Sequence, residues 1–597
     1  MQRIVRFIDE QPASKIAMIL FIVAAIFYLP TVGFEFVALD DNLLVLNNQL
    51  IRSLDLHTLK RIFTSFDPEL YVPLTTLSFS LNYMMGGLEA PIYHLTNVAL
   101  FALNVALVFL VTEQLTRYRW IGIMTALLFL VHPISTEAAA WVSARKDLLS
   151  TIFFLLSLHF WLKNDEGEDQ HEYLLSLAMF LLALLSKVTA VTLPIVLILL
   201  ELRKPYGRTR KELAIRTAPF FVLSIIFGLI AILGKSKNIV ELSAIETLLL
   251  GAKSTGFMFW KILWPANLSV LYPQIGTVSI AAFALPQIFV GILIAVLLLT
   301  WKKWRTISLC ILFTSITFAP NFFTFMKNGE LYFFSDRYAY LPSIGLFMLA
   351  TMAVHRLTLQ WPKMIAVTLS IIMVTLGTLS QLQAQTWRNS MTLLTYTLQL
   401  NPDSAIAHNN LGTVLMDQGD DEGALKEFDL AIRSNPHLMN AWINRGNILT
   451  RRGDLSGAKE ADLAAIRSID ATKVLRPDDL LGYYALGERL EKEGKIEEAL
   501  KTFIDAATRA PDIAEAQYNA AVMLHKHGRT EQAVEFYTKT VGLNPKMLDA
   551  RYALAALLAE RGLLPEAVAQ LRAIVAIDPA YAQAATHLQK MNAILGN

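Results

Sequence analysis

Long apolar segments separated by short loops fill residues 1–383 and constrain the fold more than any other feature. A helix needs roughly 20 residues to cross a bilayer. Eleven of these segments are close to that length: 16–33, 91–112, 119–134, 147–162, 172–186, 188–202, 214–234, 287–301, 306–326, 341–358 and 364–383. Backbone groups in hydrocarbon need internal hydrogen-bond partners, so such segments become α-helices. Residues 1–383 are therefore predicted to form a polytopic membrane bundle of about eleven spans. Two further apolar stretches, 74–85 and 245–264, contain polar residues and are expected at the interface or inside the protein.

Composition supports two regions that face different solvents. Hydrophobic residues make up 54% of the chain and charged residues only 17%, whereas a soluble protein has about 25% charged residues. The shortage of charge lies in residues 1–383, and the rest resembles an ordinary helix-rich soluble chain. A net charge of +2 gives no indication of nucleic-acid binding. The single cysteine, Cys310, rules out a disulfide within the chain.

A repeat with a period of 34 residues organises the C-terminal part. Alanines at equivalent places are separated by 34, 41, 34 and 34 residues: Ala424, Ala458, Ala499, Ala533 and Ala567. This is the period of the tetratricopeptide repeat. An all-α solenoid of about five repeats plus a capping helix is predicted over 401–597, with 384–400 as a connector and 473–479 as an insertion. The groove of such a solenoid suits an extended acceptor peptide. The alternative is that the array only mediates assembly, and the repeats alone do not distinguish the two.

Lysine and arginine in short loops predict the orientation. They cluster in the N-terminal arm, at Arg117 and Arg119, in 203–211, at 302–305 and between 356 and 363, all on one side of the predicted bundle. That side should be cytoplasmic, with an uncleaved first span and the repeats outside the cytoplasm. Short loops and the lack of targeting signals favour a bacterial inner membrane.

The same orientation gathers unusual polar residues at the outer face. An acidic pair, Asp40 and Asp41, follows the first span within the outer loop 34–90, and charged residues so near a span usually have a function. The others are His132, Glu137, Arg145, Lys187, Arg337 and Tyr338. Together they predict a polar cavity for a charged headgroup. The alternatives are that Arg145 and Lys187 reach lipid headgroups, that His132 only ends a helix, and that one acidic residue is a helix cap.

Four motifs resemble the transmembrane and tetratricopeptide-repeat O-mannosyltransferases and their bacterial relatives, which are C-type glycosyltransferases. They are Leu39-Asp-Asp-Asn-Leu43, Tyr71-Val-Pro-Leu-Thr-Thr-Leu-Ser-Phe79, His132-Pro-Ile-Ser-Thr-Glu-Ala138 running to Leu149, and Ser335-Asp-Arg-Tyr-Ala-Tyr-Leu-Pro-Ser343. The resemblance implies an active site at the outer face, a polyprenyl-phosphate-linked sugar donor, and a serine or threonine hydroxyl of a protein as acceptor. By position it also implies that Asp40 and Asp41 are the family's acidic pair and Arg337 its arginine. Asp336 departs from the usual pattern and stays unassigned, and the sugar does not follow from the resemblance.

The mechanism expected from this resemblance is a single inverting displacement. Asp40 or Asp41 would accept the proton of the attacking hydroxyl, while Arg337, Arg145 and Lys187 would meet the charge of the leaving phosphate. No cofactor is required, although adjacent carboxylates are where a divalent cation would bind if the enzyme uses one. Membrane lipids are expected partners. The rival interpretations are a C-type glycosyltransferase or ligase that modifies a glycan or lipid, and a membrane-anchored repeat scaffold.

Overall fold

The chain forms two compact units, Met1–Pro402 and Asp403–Asn597. The computed structural model describes residues 10–595 except 67–70, 168, 203–208, 236–241, 275–277, 282, 302–303, 328–329, 359, 470–474, 476 and 580. Arg3, Arg6, most of the basic run 203–211, Lys302 and Lys303, on which the predicted orientation partly rests, lie outside the described residues. So do residues 473, 474 and 476 of the predicted insertion 473–479.

The first unit is helical wherever the sequence is strongly apolar, which confirms the predicted fold class. Its α-helices are α1 (Ala13–Tyr28), α2 (Leu56–Thr64), α3 (Pro73–Gly86), α4 (Ala90–Thr116), α5 (Arg119–Val131), α6 (Thr136–Ala140), α7 (Arg145–Gly167), α8 (Gln170–Ser186), α9 (Leu193–Leu202), α10 (Arg210–Lys235), α11 (Ala244–Leu263), α12 (Ala284–Thr300), α13 (Arg305–Phe318), α14 (Ser343–Thr358), α15 (Pro362–Gln385) and α16 (Ser390–Leu400). Much of the expected connector 384–400 is therefore helix.

Prolines explain where helices end earlier than the apolar runs do. The run 306–326 is α-helical only to Phe318, because Pro320 follows and the chain tightens to a 3₁₀ turn over Ala319–Phe323. The run 188–202 likewise begins as a 3₁₀ turn, Val188–Thr192, before α9 starts with Pro194 in its first turn.

Four helices are long and apolar enough to cross a membrane in one piece: Ala13–Gly33, Ala90–Thr116, Arg210–Gly234 and Pro362–Gln385. The pair Arg119–Val131 and Pro133–Ala140 passes the same test together, with a bend of 65° between its halves. The bend falls at His132, which has extended backbone angles before Pro133. By length the described residues thus contain four or five spans rather than the predicted eleven, because several apolar runs form helices of 10–17 residues. They still mark the first unit as a membrane protein.

A small antiparallel sheet, which the all-α prediction lacks, carries one of the four motifs. Its strands are β1 (Tyr272–Pro273), β2 (Met326–Lys327) and β3 (Glu330–Phe334), in the order β1-β3-β2. Tyr272 pairs with Phe334. Strand β3 ends immediately before Ser335, so the sheet sets where the 3₁₀ turn Asp336–Ala339 begins.

Hydrogen bonds and rings inside the first unit bring the motifs together. The Tyr28 hydroxyl contacts the Ser380 hydroxyl at 2.9 Å and that of Thr136 at 3.2 Å, which ties α1, α6 and α15 to one another. The Phe129 ring lies 5.9 Å from Phe101 and 5.0 Å from Tyr340. The short helix α6 and the segment after β3 are thereby held against α4 and α5.

The second unit is a stack of helix pairs, as the 34-residue period predicts. Its helices are α17 (Ala405–Asp417), α18 (Asp421–Ser434), α19 (Met439–Arg451), α20 (Leu455–Arg467), α21 (Leu481–Lys492), α22 (Ile496–Arg509), α23 (Ala514–Lys526), α24 (Thr530–Leu543), α25 (Leu548–Glu560), α26 (Leu564–Ile577) and α27 (Ala582–Leu595). The five recurring alanines are fully buried. The turn inside each pair holds a glycine with φ between 72° and 84°, which other residues adopt at a cost: Gly419, Gly453, Gly494, Gly528 and Gly562.

Candidate active site

Asp41 is a buried structural carboxylate. It accepts hydrogen bonds from the Val37 backbone N–H at 3.0 Å, the Ser143 backbone N–H at 3.0 Å and the Ser143 hydroxyl at 2.5 Å. Burial raises the pKa of the Asp41 carboxyl to about 6, with the hydrogen bonds of Ser143 acting against that rise. Asp41 is therefore ionised at neutral pH, the form that three donors require. Its contacts fasten the segment after α1 to the turn that precedes α7.

Asp40 has a more accessible carboxylate than its neighbour. Its side chain is 23% exposed, and its Oδ2 lies 3.4 Å from Nζ of Lys146 in the first turn of α7. Asp41, by contrast, is 1% exposed. The sequence did not distinguish the two carboxylates, but their environments do: Asp41 anchors the loop, and Asp40 is the more accessible of the pair.

Trp141 forms a platform next to this acidic pair. Its ring stacks on Trp387 with centroids 5.5 Å apart. Cζ of Arg337 lies 5.0 Å from the Trp141 ring and Nζ of Lys146 lies 5.9 Å from it, so both cations lie within reach of the indole π-system. The backbone N–H of Ala38 also donates to the Ser390 hydroxyl at 2.8 Å, which holds the acidic segment against the chain that follows Trp387.

Arg337 is paired with Glu137, a contact that the sequence did not predict. The Arg337 guanidinium donates to Oε1 of Glu137 at 2.9 Å, and the Arg337 backbone N–H donates to Oε2 at 3.1 Å. Burial acts to lower the pKa of Arg337, but Tyr338, Glu137 and the carboxylates of Asp40 and Asp147 outweigh it and raise that pKa. Arg337 is thus a permanent cation whose position a buried glutamate fixes.

Lys187 forms a second ion pair at the same place. Its Nζ donates to Oδ1 of Asp147 at 2.5 Å. The other carboxylate oxygen, Oδ2, is buried and has no hydrogen-bond partner among the described residues. A buried acceptor without a donor is costly, so a polar group of a ligand or a water would be stabilised there.

A small polar cavity lies beside the Arg337 and Lys187 ion pairs. Arg337, Tyr338, Lys187 and Asp147 line it, together with hydroxyls and an amide from three other segments: Ser150, Thr151, Thr189, Thr317 and Asn321. The arginine and lysine can bind an anionic headgroup. The surrounding hydroxyls can form hydrogen bonds with a polyhydroxylated group attached to that headgroup. Four of the residues selected from the sequence therefore lie close together: Lys187, Arg337 and Tyr338 line the cavity, and Glu137 contacts Arg337.

A second small space is lined by Glu137. Asp336, unassigned from the sequence, lines it with Trp387 and Gln383. The Tyr272 hydroxyl donates to the Asp336 carboxyl, at 3.0 Å from Oδ1, and burial raises the pKa of that carboxyl well above its usual value. Asp336 and its neighbour Arg337 therefore line different spaces.

Arg145 is a correction, because the structure gives it no access to this cavity. It is fully buried, and its guanidinium donates to Oδ1 of Asn97 at 2.8 Å, to the Tyr93 carbonyl at 2.7 Å, to the Ser78 carbonyl and to Oδ1 of Asn82. Asn97 in turn donates to the Trp141 carbonyl at 2.8 Å. Arg145 therefore positions the turn that carries Trp141 and Ser143, instead of binding phosphate.

His132 is a second correction. Its Nε2 lies 2.9 Å from the Ile262 carbonyl, and its Nδ1 accepts the backbone N–H of Ile134 at 3.1 Å. Both ring nitrogens are occupied by backbone groups at the bend between α5 and α6. The alternative given by the sequence, that His132 ends a helix, describes this arrangement.

The sequence predicted no catalytic or binding role for Lys146 and Asp147, although both lie near the cavity. The run Arg145-Lys146-Asp147 was visible as a cluster of charge, but consecutive helical residues point about 100° apart. Only the packing of α7 decides that Arg145 faces the interior while Asp147 faces the cavity. Across the described ranges, no three His, Cys, Asp or Glu side chains group as a metal site.

Replacing Arg145 with glutamine is expected to lower the free energy of unfolding by more than about 2 kcal/mol, since each buried acceptor left without a donor costs about 1–3 kcal/mol. Thermal unfolding of the purified chain in detergent measures the effect. Arg356→Gln, at an exposed position of α14, is the matched control and should not change the melting temperature. An unchanged melting temperature for Arg145→Gln would contradict the positioning role.

Comparison with known proteins agrees with the motifs and the repeats. Tetratricopeptide-repeat family models match residues 379–438 and 484–547, and residues 524–591. Protein O-mannosyl-transferase F38B6.6 of Caenorhabditis elegans is 25% identical over 446 residues, covering 70% of this chain and 62% of that protein. Human protein O-mannosyl-transferase TMTC3 is 24% identical over 500 residues, covering 75% of this chain and 54% of that protein.

A shorter region is more similar. Human protein O-mannosyl-transferase TMTC2 is 43% identical over 94 residues, which is 16% of this chain and 11% of that protein. The chain spans little more than half the length of the relatives that it matches most extensively. The resemblance inferred from the motifs is confirmed: this membrane protein with a tetratricopeptide-repeat unit is a homologue of the protein O-mannosyl-transferases.

Proposed function

We propose that the chain is a membrane glycosyltransferase that moves a sugar from a polyprenyl-phosphate donor to a serine or threonine hydroxyl of an acceptor protein. The observation that carries the proposal is the cavity lined by Arg337 and Lys187, each held by a buried carboxylate, with Asp40 near enough for its charge to act on Arg337. The similar proteins are named protein O-mannosyl-transferases, so mannose is the first sugar to test.

In the proposed reaction, the donor phosphate lies at Arg337 and Lys187 and the sugar faces the cavity hydroxyls. Asp40 accepts the proton of the acceptor hydroxyl as its oxygen bonds to the anomeric carbon. The bond from that carbon to the phosphate oxygen breaks, and the electron pair stays on the phosphate. Fixed cations stabilise this growing charge without reorganising, and one direct displacement inverts the anomeric configuration.

The proposal extends to the acceptor and to the membrane. The repeat unit would bind an extended segment of the acceptor protein and raise its local concentration at the enzyme. We also propose a cytoplasmic N-terminus, a repeat unit outside the cytoplasm, and a bacterial inner membrane. Protease accessibility of the repeat unit in sealed, right-side-out vesicles tests the orientation.

The decisive experiment combines purified full-length chain, synthetic polyprenyl-phosphate mannose, and a secreted protein of the source cells as acceptor. Intact mass and fragmentation then report the modification. A gain of one hexose on serine or threonine supports the proposal. Donor turnover with no gain on protein would point to a glycan or lipid acceptor, and no turnover with any polyprenyl-phosphate sugar would refute the proposal.

Replacing Arg337 with glutamine is expected to lower the transfer rate by about 10²–10³-fold, the usual effect of removing one group that stabilises a transition-state charge. Arg337→Lys should retain part of the rate, because the charge stays while the planar fork is lost. Single-turnover transfer measures both, with Arg356→Gln as the control at wild-type rate. Wild-type transfer by Arg337→Gln would remove Arg337 from the mechanism.

A further inference from the structure

Helix α2, in the segment between the first span and α3, has an apolar side that the protein does not cover. Asp55 caps its start by accepting the Thr58 backbone N–H at 2.8 Å. Ile62, 3% exposed, is its buried residue. Leu56 is 84% exposed and Phe63 39% exposed, and Phe66, just after the helix, is 42% exposed. An exposed apolar stripe on so short a helix requires an environment other than bulk water.

A basic edge runs beside this apolar stripe. His57, Lys60 and Arg61 are all exposed. Lys60 follows Leu56 by four residues and precedes Phe63 by three, so it lies next to both on the helix surface. A helix with exposed large apolar residues on one side and lysine and arginine beside them is typical of helices that lie in a membrane interface.

The position of α2 agrees with that environment. The Phe66 ring packs on Gly234, where an added Cβ would lie 2.5 Å from it. Gly234 is the last residue of the span Arg210–Gly234. The Tyr71 hydroxyl donates to the Phe63 carbonyl at 3.0 Å, and the Tyr71 ring lies 6.1 Å from Phe227 of the same span. The end of α2 is therefore fastened where a membrane helix leaves the bilayer.

We infer that α2 is a surface-lying helix that binds anionic phospholipid headgroups. Leu56, Phe63 and Phe66 enter the boundary between headgroups and acyl chains, while Lys60 and Arg61 contact lipid phosphates. The positive edge supplies charge complementarity to anionic lipid headgroups. This inference does not depend on the proposed transferase activity.

The test uses the full chain in nanodiscs, with a polarity-sensitive fluorophore on Leu56→Cys in a Cys310→Ala background. Discs contain either zwitterionic lipid alone or the same lipid with an anionic phospholipid, and nitroxide-labelled lipids report contact. Leu543→Cys, an exposed leucine of the repeat unit, is the control label. Wild-type α2 is expected to show blue-shifted emission and quenching by lipid, at least about twofold stronger in anionic discs; the control should show neither.

Charge reversal separates lipid binding in general from headgroup recognition. Lys60→Gln with Arg61→Gln should abolish the difference between the two disc compositions, because both attracting charges are removed, and Lys60→Glu with Arg61→Glu should reverse it. Melting temperatures in detergent check that both variants fold. The inference is overturned if the label at position 56 stays as accessible to aqueous iodide as the control, or if lipid quenching is identical in the two disc compositions.

Discussion

Asp40→Asn is expected to lower sugar transfer by about 10²–10⁴-fold, the range that a positioned general base contributes, and to leave the fold intact. Asparagine keeps the size of the side chain but cannot accept a proton from the acceptor hydroxyl. The fold is expected to remain because the asparagine oxygen can still accept a hydrogen bond from Nζ of Lys146, which lies 3.4 Å from Oδ2 of Asp40. Transfer under single-turnover conditions, together with a melting curve, measures both effects.

Asp41→Asn is the matched comparison at the neighbouring position. All three groups that contact the Asp41 carboxylate donate hydrogen bonds, so an asparagine amide would set its N–H₂ against at least one donor. We expect a lower melting temperature, with any loss of transfer following that destabilisation. A stable Asp41→Asn that is inactive, beside an active Asp40→Asn, would exchange the two roles.

Asp462→Ala is expected to lower the free energy of unfolding of the repeat unit by about 3–5 kcal/mol, the cost of leaving one charge of a buried pair without its partner. Asp462 on α20 is fully buried and accepts from Nε of Arg489 on α21 at 2.6 Å and from Nη2 at 3.1 Å. Hydrogen–deuterium exchange on the full chain should show lost protection in α20 and α21. Protection equal to wild type would contradict this.

The double variant Asp462→Leu with Arg489→Met should recover that stability or exceed it. Apolar residues hold the equivalent places in the other repeats: Phe428, Phe503, Tyr537 and Leu571 correspond to Asp462, and Val414, Ile448, Met523 and Leu557 to Arg489. Replacing a buried ion pair with packed apolar groups is often neutral or stabilising. Arg445→Gln, which breaks a partly exposed pair with Asp429, is the control and should change stability by less than about 1 kcal/mol.

Local pattern was sufficient for the helices and the repeats. The apolar runs of residues 1–383 and the 34-residue spacing of alanines depend only on nearby residues, since helix formation follows sequence periodicity. The small sheet escaped prediction because its strands are two to five residues long and because β1 pairs with β3 across more than fifty positions. The sheet matters for the site because strand β3 leads directly into Asp336 and Arg337.

The motifs predicted which residues belong to the candidate site, but not what each of them does there. Charge beside apolar segments singled out Asp40, Asp41, Glu137, Lys187 and Arg337, because charge near a bilayer is costly and rarely accidental. Which carboxylate stays accessible, and whether a cation faces a cavity or the interior, depends on contacts between residues a hundred or more positions apart, such as Asp41 with Ser143. Sequence by itself determined the helices, the repeats and the family resemblance; only the tertiary structure decided which charged side chains meet, because direction and burial are properties of packing.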